Sequence, residues 1–323
     1  LDDVPLYNVS HFGGYFSVFN TNAIDNTKLI KGGFPARYGG RLSSVLDVKM
    51  REGNKKEFSV RGTAGVLAMN VSVEAPIVKD TSSFIFSARK RFFPLFKMGG
   101  TGLAYNFYDL NAKANYKFSK KDKLILSFYL GNDILTDQNS SGLFKTSNYK
   151  VNWGNRLISL QWEHTFNRKV TGEFKIANTS YQYSQALNKQ IGLISGKEID
   201  NTLKNQINDI LLKMDFDYQY NSNCTFLFGL HAKNHVFRPN NEKYEQSGKG
   251  IENFERSFTA KENALENSVY LDNELELSDN FDANIGLRFS SYMVNQTSYF
   301  LPEPRLLANY MFNKSFSAKY SYS

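Results

Sequence analysis

From Glu57 to Tyr322 the chain repeats one pattern: segments of about ten residues or more in which apolar and polar side chains alternate. Period two sends neighbouring side chains to opposite faces of an extended strand, so each segment has one apolar and one polar face. Leu110, Ala112, Ala114, Tyr116 and Phe118 oppose Asn111, Lys113, Asn115 and Lys117. Leu124, Leu126, Phe128 and Leu130 oppose Ser127, Tyr129, Gly131 and Asp133. Phe281, Ala283, Ile285, Leu287 and Phe289 oppose Asp282, Asn284, Gly286, Arg288 and Ser290. Soluble strands usually run about five or six residues, whereas a tilted strand needs about ten to cross a bilayer.

The connections narrow the choice further. Very short ones at Lys120–Asp122, near Asn167, at Asn221–Asn223, at Ser278–Asn280 and at Asn313 alternate with polar stretches expected as long loops, at Thr136–Lys150, Ala186–Thr202, Pro239–Lys261 and Asn295–Pro304. Tight turns at one end and long loops at the other is the arrangement of transmembrane barrels; sandwiches and propellers show no such alternation. The expectation is an all-β chain, an antiparallel transmembrane β-barrel that is partial: about thirteen strands, an odd number where single-chain bacterial barrels are even. No run of about 18 apolar residues exists, which excludes a transmembrane helix. The negative mean hydropathy does not argue against a membrane, because barrel strands alternate. Aromatic content is 15%, and Phe92, Phe93, Tyr108, Phe118, Phe166, Tyr183, Tyr220, Phe237, Tyr292 and Tyr320 near strand ends suit an interfacial girdle.

Other chemistry finds little support. Cys224 is the lone cysteine and the four His are scattered, so no internal disulfide, zinc spacing or other metal site is expected. There is no G-x-S-x-G, H-E-x-x-H or phosphate-loop spacing, and neither a cofactor nor an enzyme is expected. The net charge of +8 is spread among acids, which does not favour nucleic acid. The opening LDDVPLYNV lacks the features of an export signal, so either the protein is cytosolic or its start lies upstream.

Ahead of the alternating region lies LIKGGFPARYGGRLSSVLDVKM, Leu29 to Met50, in which Gly32, Gly33, Gly39 and Gly40 permit positive φ or close backbone approach and Pro35 fixes one φ between them. The phrase KGGFPARYGGRLSSV, with LYNVSHFGGYFSVFNTNAIDNTKLI before it, resembles the end of the plug domain of TonB-dependent outer-membrane receptors. PEPRLLANYMFNKSFSAKYSYS resembles barrel hairpins of the same family. The resemblance implies that residues 1–54 are the C-terminal part of a plug and residues 55–323 the N-terminal half of a truncated barrel, about 13 of an expected 22 strands. It implies a Gram-negative outer membrane and active uptake of a scarce or bulky nutrient of siderophore, vitamin, glycan or peptide class. Its partners would be outer-membrane lipid and the inner-membrane TonB complex, reached through a TonB box missing from this chain. A non-transporting surface barrel acting in adhesion or assembly is the alternative, and it needs no lumen-filling domain.

Within that resemblance the plug elbow comprises Lys31, Gly32, Gly33, Pro35, Arg37, Tyr38, Gly39, Gly40 and Arg41. Arg37 and Arg41 are expected to meet inner-wall carboxylates, with Glu163, Glu173, Asp215, Asp217, Glu274 and Glu276 nominated by strand parity. Tyr7, Asn8, His11, Phe12 and Phe16 are candidates to face the outer vestibule and touch ligand.

Overall fold

The computed structural model describes residues 1–40, 43–91, 103–140, 145–191, 196–249 and 252–322. Two short strands, β1 (Ser10–His11) and β2 (Phe16–Ser17), flank a single 3-10 turn at Phe12–Gly14. β3 (Ile24–Lys31) and β4 (Ser44–Met50) then pair antiparallel as a separate two-stranded sheet. The remaining strands form one antiparallel sheet: β5 (Ser59–Ala64), β6 (Ala68–Val78), β7 (Ser82–Arg91), β8 (Leu103–Lys117), β9 (Asp122–Ser140), β10 (Lys145–Thr165), β11 (Val170–Ile191), β12 (Lys197–Asn221), β13 (Cys224–Ser247), β14 (Phe254–Phe258), β15 (Glu262–Ser278), β16 (Phe281–Val294), β17 (Thr297–Asn313) and β18 (Phe316–Tyr322). Strands neighbour in chain order, with one exception. β14 pairs with the outer part of β13, at Glu242–Gln246, while β15 pairs with the inner part, from Cys224 to Phe237. Among the described residues β5 and β18 are the two unpaired edges, so the sheet is an unclosed barrel.

Parity follows the alternation in the sequence. Asn111, Lys113, Asn115, Ser127, Asp133, Asn284 and Arg288 are buried, whereas Leu126 and Ile285 are about half exposed on the other face (47% and 53%). Outward apolar residues lie directly beside one another from strand to strand: Leu126 opposite Leu160, Leu160 opposite Ile176, Ile176 opposite Leu212. Among the described residues nothing covers this continuous apolar band, and hydrocarbon is the solvent that suits it.

The long loops are a correction. β9 runs to Ser140, β11 to Ile191 and β13 to Ser247, so Thr136–Lys150, Ala186–Thr202 and Pro239–Lys261 are largely ribbon, and Ile191 pairs with Lys197. The stretch Asn295–Pro304 is a tight turn followed by strand, with Val294 paired to Thr297. A polar sequence there reports that both faces meet water; it does not stop backbone groups from pairing. With 25 residues, β12 is about 80 Å long, and at the usual tilt it rises roughly twice the height of the apolar band. Tyr183, Phe237 and Tyr292 have inward parity and leave the expected girdle, while Phe92 and Phe93 lie outside the described residues.

The first fifty residues sit inside this curve. Arg51 reaches Glu74 on β6 at one side, and Gly33 abuts Ser321 on β18 at the other. A segment this short touches both edges of the sheet only if the sheet wraps around it. Val4, Val18, Val48 and Met50 pack on the inward-facing Tyr129, Leu157, Ala177 and Leu211, giving a small apolar core between segment and wall.

Candidate functional site

Around that core the interface is charged. Asp2 and Asp3 follow the first residue, both with positive φ (47° and 64°), a strained turn that aims two carboxylates at the wall. Lys113 of β8 approaches Asp2 at 3.1 Å and donates to the Met50 carbonyl at 3.0 Å. Ser127 of β9 donates to the other Asp2 oxygen at 2.8 Å. Lys175 of β11 and Lys213 of β12 are direct cross-strand neighbours and converge on Asp3. Burial acts to raise the Asp3 carboxyl, but Lys213, Lys175 and Arg37 outweigh it and hold it far below the usual carboxylate range. Sequence reading missed this acid pair. Inward parity marked Lys113 as lumen-facing, but nothing in the sequence said which segment residue it would meet.

Arg37 lies in the elbow, 4.0 Å from Asp215 of β12. Asp215 also accepts from Tyr270 at 2.6 Å and faces His231 Nε2 at 2.7 Å. The Arg37 backbone N–H donates to Asp272 at 3.1 Å, and Arg288 of β16 donates to the carbonyls of Ala36 and Arg37 at 3.2 and 3.4 Å. The wall thus grips the elbow backbone as well as its side chain. Of the other nominated acids, Glu163 pairs with Lys123 at 3.5 Å, and Glu173, Asp217, Glu274 and Glu276 form no ion pair within 4.0 Å among the described residues. Parity placed them on the inner face but could not give their height relative to Arg37. Arg41 lies outside the described residues.

The elbow glycines divide by cause. Gly32 and Gly40 have φ of 77° and 65°. Gly33 and Gly39 are close approaches: a Cβ on Gly33 would lie 2.5 Å from the Ser321 Cβ and 2.6 Å from Leu307, and one on Gly39 would overlap the Arg288 guanidinium. Pro35 accepts from the Tyr38 N–H at 3.0 Å, closing the turn between the pairs, and Lys31 pairs with Ser44 at the base of the β3–β4 ribbon. Burial, then Asp47, raises the Tyr38 hydroxyl above its ordinary range.

At the outer end of the segment His11 is fully buried. Its Nδ1 lies 2.8 Å from Asp133 and its Nε2 3.0 Å from Asp109, and its ring stacks on Phe107 at 4.4 Å. As a ligand contact His11 is therefore corrected: it has no surface to offer and instead ties the apex to the wall. Asn8 is likewise held, its carbonyl accepting from Asn155 at 2.5 Å, and Tyr7 donates its hydroxyl to Asp209 while its ring stays partly exposed. Phe12 has φ of 48°, which is strained for a bulky residue, and its N–H donates to the Tyr105 hydroxyl at 2.8 Å. Its ring lies 4.7 Å from Tyr105 and 5.4 Å from Tyr15, while Phe16 stacks on Phe107 at 6.3 Å. Tyr15, 78% exposed, is the most open ring of the apex and was missed, as was inward-facing Trp153, stacked 6.3 Å from Tyr105. For Trp153 the signal was available, an aromatic at lumen parity just beyond the buried Asn155 of β10; Tyr15 lies between the 3-10 turn and β2 and has no strand parity to read.

Between segment and wall lies a cavity of about 320 Å³ lined by Asp3, Tyr7, Arg37, Lys213, His231 and Arg288, among others. Buried ion pairs recover little net free energy once desolvation is counted, so contacts of this kind fix register without making separation prohibitive.

The family model for the β-barrel of TonB-dependent receptor-like proteins matches residues 93–323. Similar folds include the ferripyoverdine receptor of the outer membrane of Pseudomonas aeruginosa bound to ferripyoverdine (11% identity, TM-score 0.63, 93% of this chain and 46% of that one). FpvA of P. aeruginosa bound to heterologous pyoverdines is another (12%, 0.66, 96% and 47%), and so is the siderophore receptor PirA of Acinetobacter baumannii (13%, 0.58, 92% and 47%). The chain spans about half the length of the structures it matches. At these identities the likeness is one of fold. No curated protein matches the sequence.

Proposed function

Because the chain belongs to the TonB-dependent receptor family, whose barrel model covers most of it, we propose that it forms part of an outer-membrane active transporter, with residues 1–54 as the end of the plug and 55–323 as the first half of the barrel. TonB-dependent receptors are transporters rather than enzymes. The observation that supports the reading is the segment held inside the sheet by Asp2, Asp3, Arg37 and His11 on wall residues of opposite charge. A lumen filled in this way by polar contacts is closed at rest and can be opened by force applied to the plug. The ligand is a scarce or bulky nutrient that settles on the apex aromatics Phe12, Tyr15 and Phe16 with Tyr105 and Trp153, and the inner-membrane TonB complex supplies the pull. Ferric siderophores come first among the candidates, since similar folds include siderophore receptors.

The test uses the complete gene. Its deletion should abolish uptake of a labelled ferric siderophore, vitamin or oligosaccharide in intact cells, and collapse of the inner-membrane proton gradient should abolish uptake while leaving surface binding. Uptake that survives both, with cell adhesion lost on deletion, would sink the transport reading in favour of a non-transporting surface barrel.

A further inference from the structure

The rim at the short-turn end of the sheet carries a charge pattern that neither the plug nor the lumen uses. The turn between β8 and β9 presents Lys120 and Lys121, and the adjacent turn between β10 and β11 presents Arg168 and Lys169. The two turns are tied together, since the Thr165 N–H donates to the Lys121 carbonyl at 2.8 Å. All four side chains are exposed, and among the described residues none has a carboxylate partner. Lys121 and Lys169 rest their ammonium groups on the carbonyls of Phe166 and Tyr220 at 3.3 and 2.9 Å, which holds the charges at the rim. The next two short turns, at Asn221–Asn223 and Ser278–Asn280, carry no cation, and the β6–β7 and β17–β18 turns carry one each, Lys79 and Lys314, so paired cations occur only at these two neighbouring turns among the described short turns.

Directly beside it, on the outward face, runs an aromatic band. Trp162 stacks on Phe174 at 5.0 Å, Phe174 meets Phe216 edge-on at 5.6 Å, and Phe216 stacks on Phe228 at 5.3 Å. His164 and Phe166 extend it toward the turns at 4.5 Å. The acid in this zone, Asp122, is occupied: it accepts from Trp162 at 3.1 Å and Ser119 at 2.5 Å and faces His164 at 2.6 Å. It forms no ion pair with the turn cations, and its single charge leaves the four-cation patch clearly positive. Above the band begins the apolar ladder of Leu160, Ile176 and Leu212. Cations, then an aromatic belt with Trp162 and His164 at its turn side, then aliphatic side chains reproduce the order of phosphate, glycerol-ester and acyl layers in a lipid leaflet.

We propose that this rim is a docking surface for anionic phospholipid, with headgroup phosphates held by Lys120, Lys121, Arg168 and Lys169 and acyl chains on the Trp162–Phe228 band. The inference rests on the outer-membrane reading, which makes the short turns periplasmic and the leaflet at this rim the inner one. A soluble periplasmic polyanion would use the cations but leave the aromatic band without a role; a lipid uses both.

The experiment measures lipid retention by the intact receptor in detergent by native mass spectrometry, with phosphatidylglycerol and phosphatidylcholine of matched chains as probes. Roughly a fivefold preference for phosphatidylglycerol is expected, shrinking in high salt. The preference should fall to about parity in K120Q/K121Q/R168Q/K169Q and persist in K120R/K121R/R168K/K169R. Equal retention by the unmodified receptor, or a preference that survives in the glutamine variant, overturns the proposal. So does capture of peptidoglycan sacculi, lost in that variant, without any lipid preference. Orientation is read separately by labelling Asn167→Cys, in a Cys224→Ser background, with an impermeant maleimide. Labelling on intact cells would overturn the outer-membrane reading itself, whereas protection without lipid preference would overturn this proposal alone.

Discussion

Both ring nitrogens of His11 face carboxylates, and a neutral imidazole has one donor to give where two are wanted. Burial disfavours the imidazolium, yet the hydrogen bonds and charges of Asp109 and Asp133 outweigh it and raise the His11 pKa above 6.5. A pKa raised in the folded state contributes stability that is complete below 6.5 and disappears as pH climbs through the raised value. The other charged and titratable groups around the ring are Arg89, on Asp109 at 2.6 Å, and the hydroxyls of Tyr105 and Tyr129. Hydrogen exchange at Ser10–Ser17, corrected for intrinsic rate, should therefore accelerate between pH 6 and pH 9 in the native receptor. The same comparison should show little change in His11→Gln, and equal pH dependence in both would refute the assignment. Gly53 gives a second residue-scale prediction. Its φ is 87° and a Cβ would overlap the Phe84 backbone on β7, while Gly13, at φ 65°, has open space around it. Gly13→Ala carries conformational strain alone, about 1 kcal/mol, whereas Gly53→Ala adds a clash with backbone that cannot rotate away and should cost about 3 kcal/mol. Urea midpoints of the two variants decide; equal shifts would mean that the chain near Gly53 moves freely.

At the scale of the strand, the test is one of faces. Leu126 and Ile285 point outward, into the apolar band, and an arginine there should cost about 2 to 4 kcal/mol near the bilayer midplane. Asn284 points inward opposite Glu274, so Asn284→Lys gains a carboxylate neighbour and should be mild. Folding yield into vesicles and urea stability measure both, and equal sensitivity would argue against the parity. This inside-outside pattern was legible from Leu110–Phe118 onward because strand geometry has a fixed period of two and a buried face enforces it. Strand length was not legible. Composition distinguishes lipid from water, and Ile191 and Lys197 pair in water as well as they would in the membrane. The meeting of strand and segment was legible only in kind. Parity put Asp215 on the inner wall, but the height at which Asp3 or Arg37 arrives depends on the packing of Val4, Val48 and Met50 against Leu157 and Leu211, a tertiary fact with no local signature. Reading the elbow toward wall carboxylates captured one polarity of the interface, and Asp2 and Asp3 carry the other.

For the molecule as a whole, the question is what keeps the segment seated. Lys113, Lys175 and Lys213 are all largely buried, on three strands, and Asp2 and Asp3 are the segment's carboxylates among them. Replacing both acids, in Asp2→Asn/Asp3→Asn, leaves three cations across a low-dielectric gap, with Asp215 at 3.9 Å from Lys213 and the more distant Glu173 near Lys175 as partial compensation. Removing one partner of a buried pair costs about 3 to 5 kcal/mol because the stranded charge, more than the lost attraction, sets the penalty. The penalty falls on the docked state alone, since a displaced segment lets water reach the lysines. The full-length variant in planar bilayers should therefore open conducting pores at a lower urea concentration than the native receptor. Adding Lys213→Met removes the cation that faces both Asp3 and Asp215, and it should restore part of the loss. That recovery separates stranded charge from a general loosening of the fold, which a third substitution would only worsen. If pores open at the same urea concentration in the native and the double variant, the acid–lysine contacts do not hold the segment, and its seating falls to the Arg37 elbow and the apolar core.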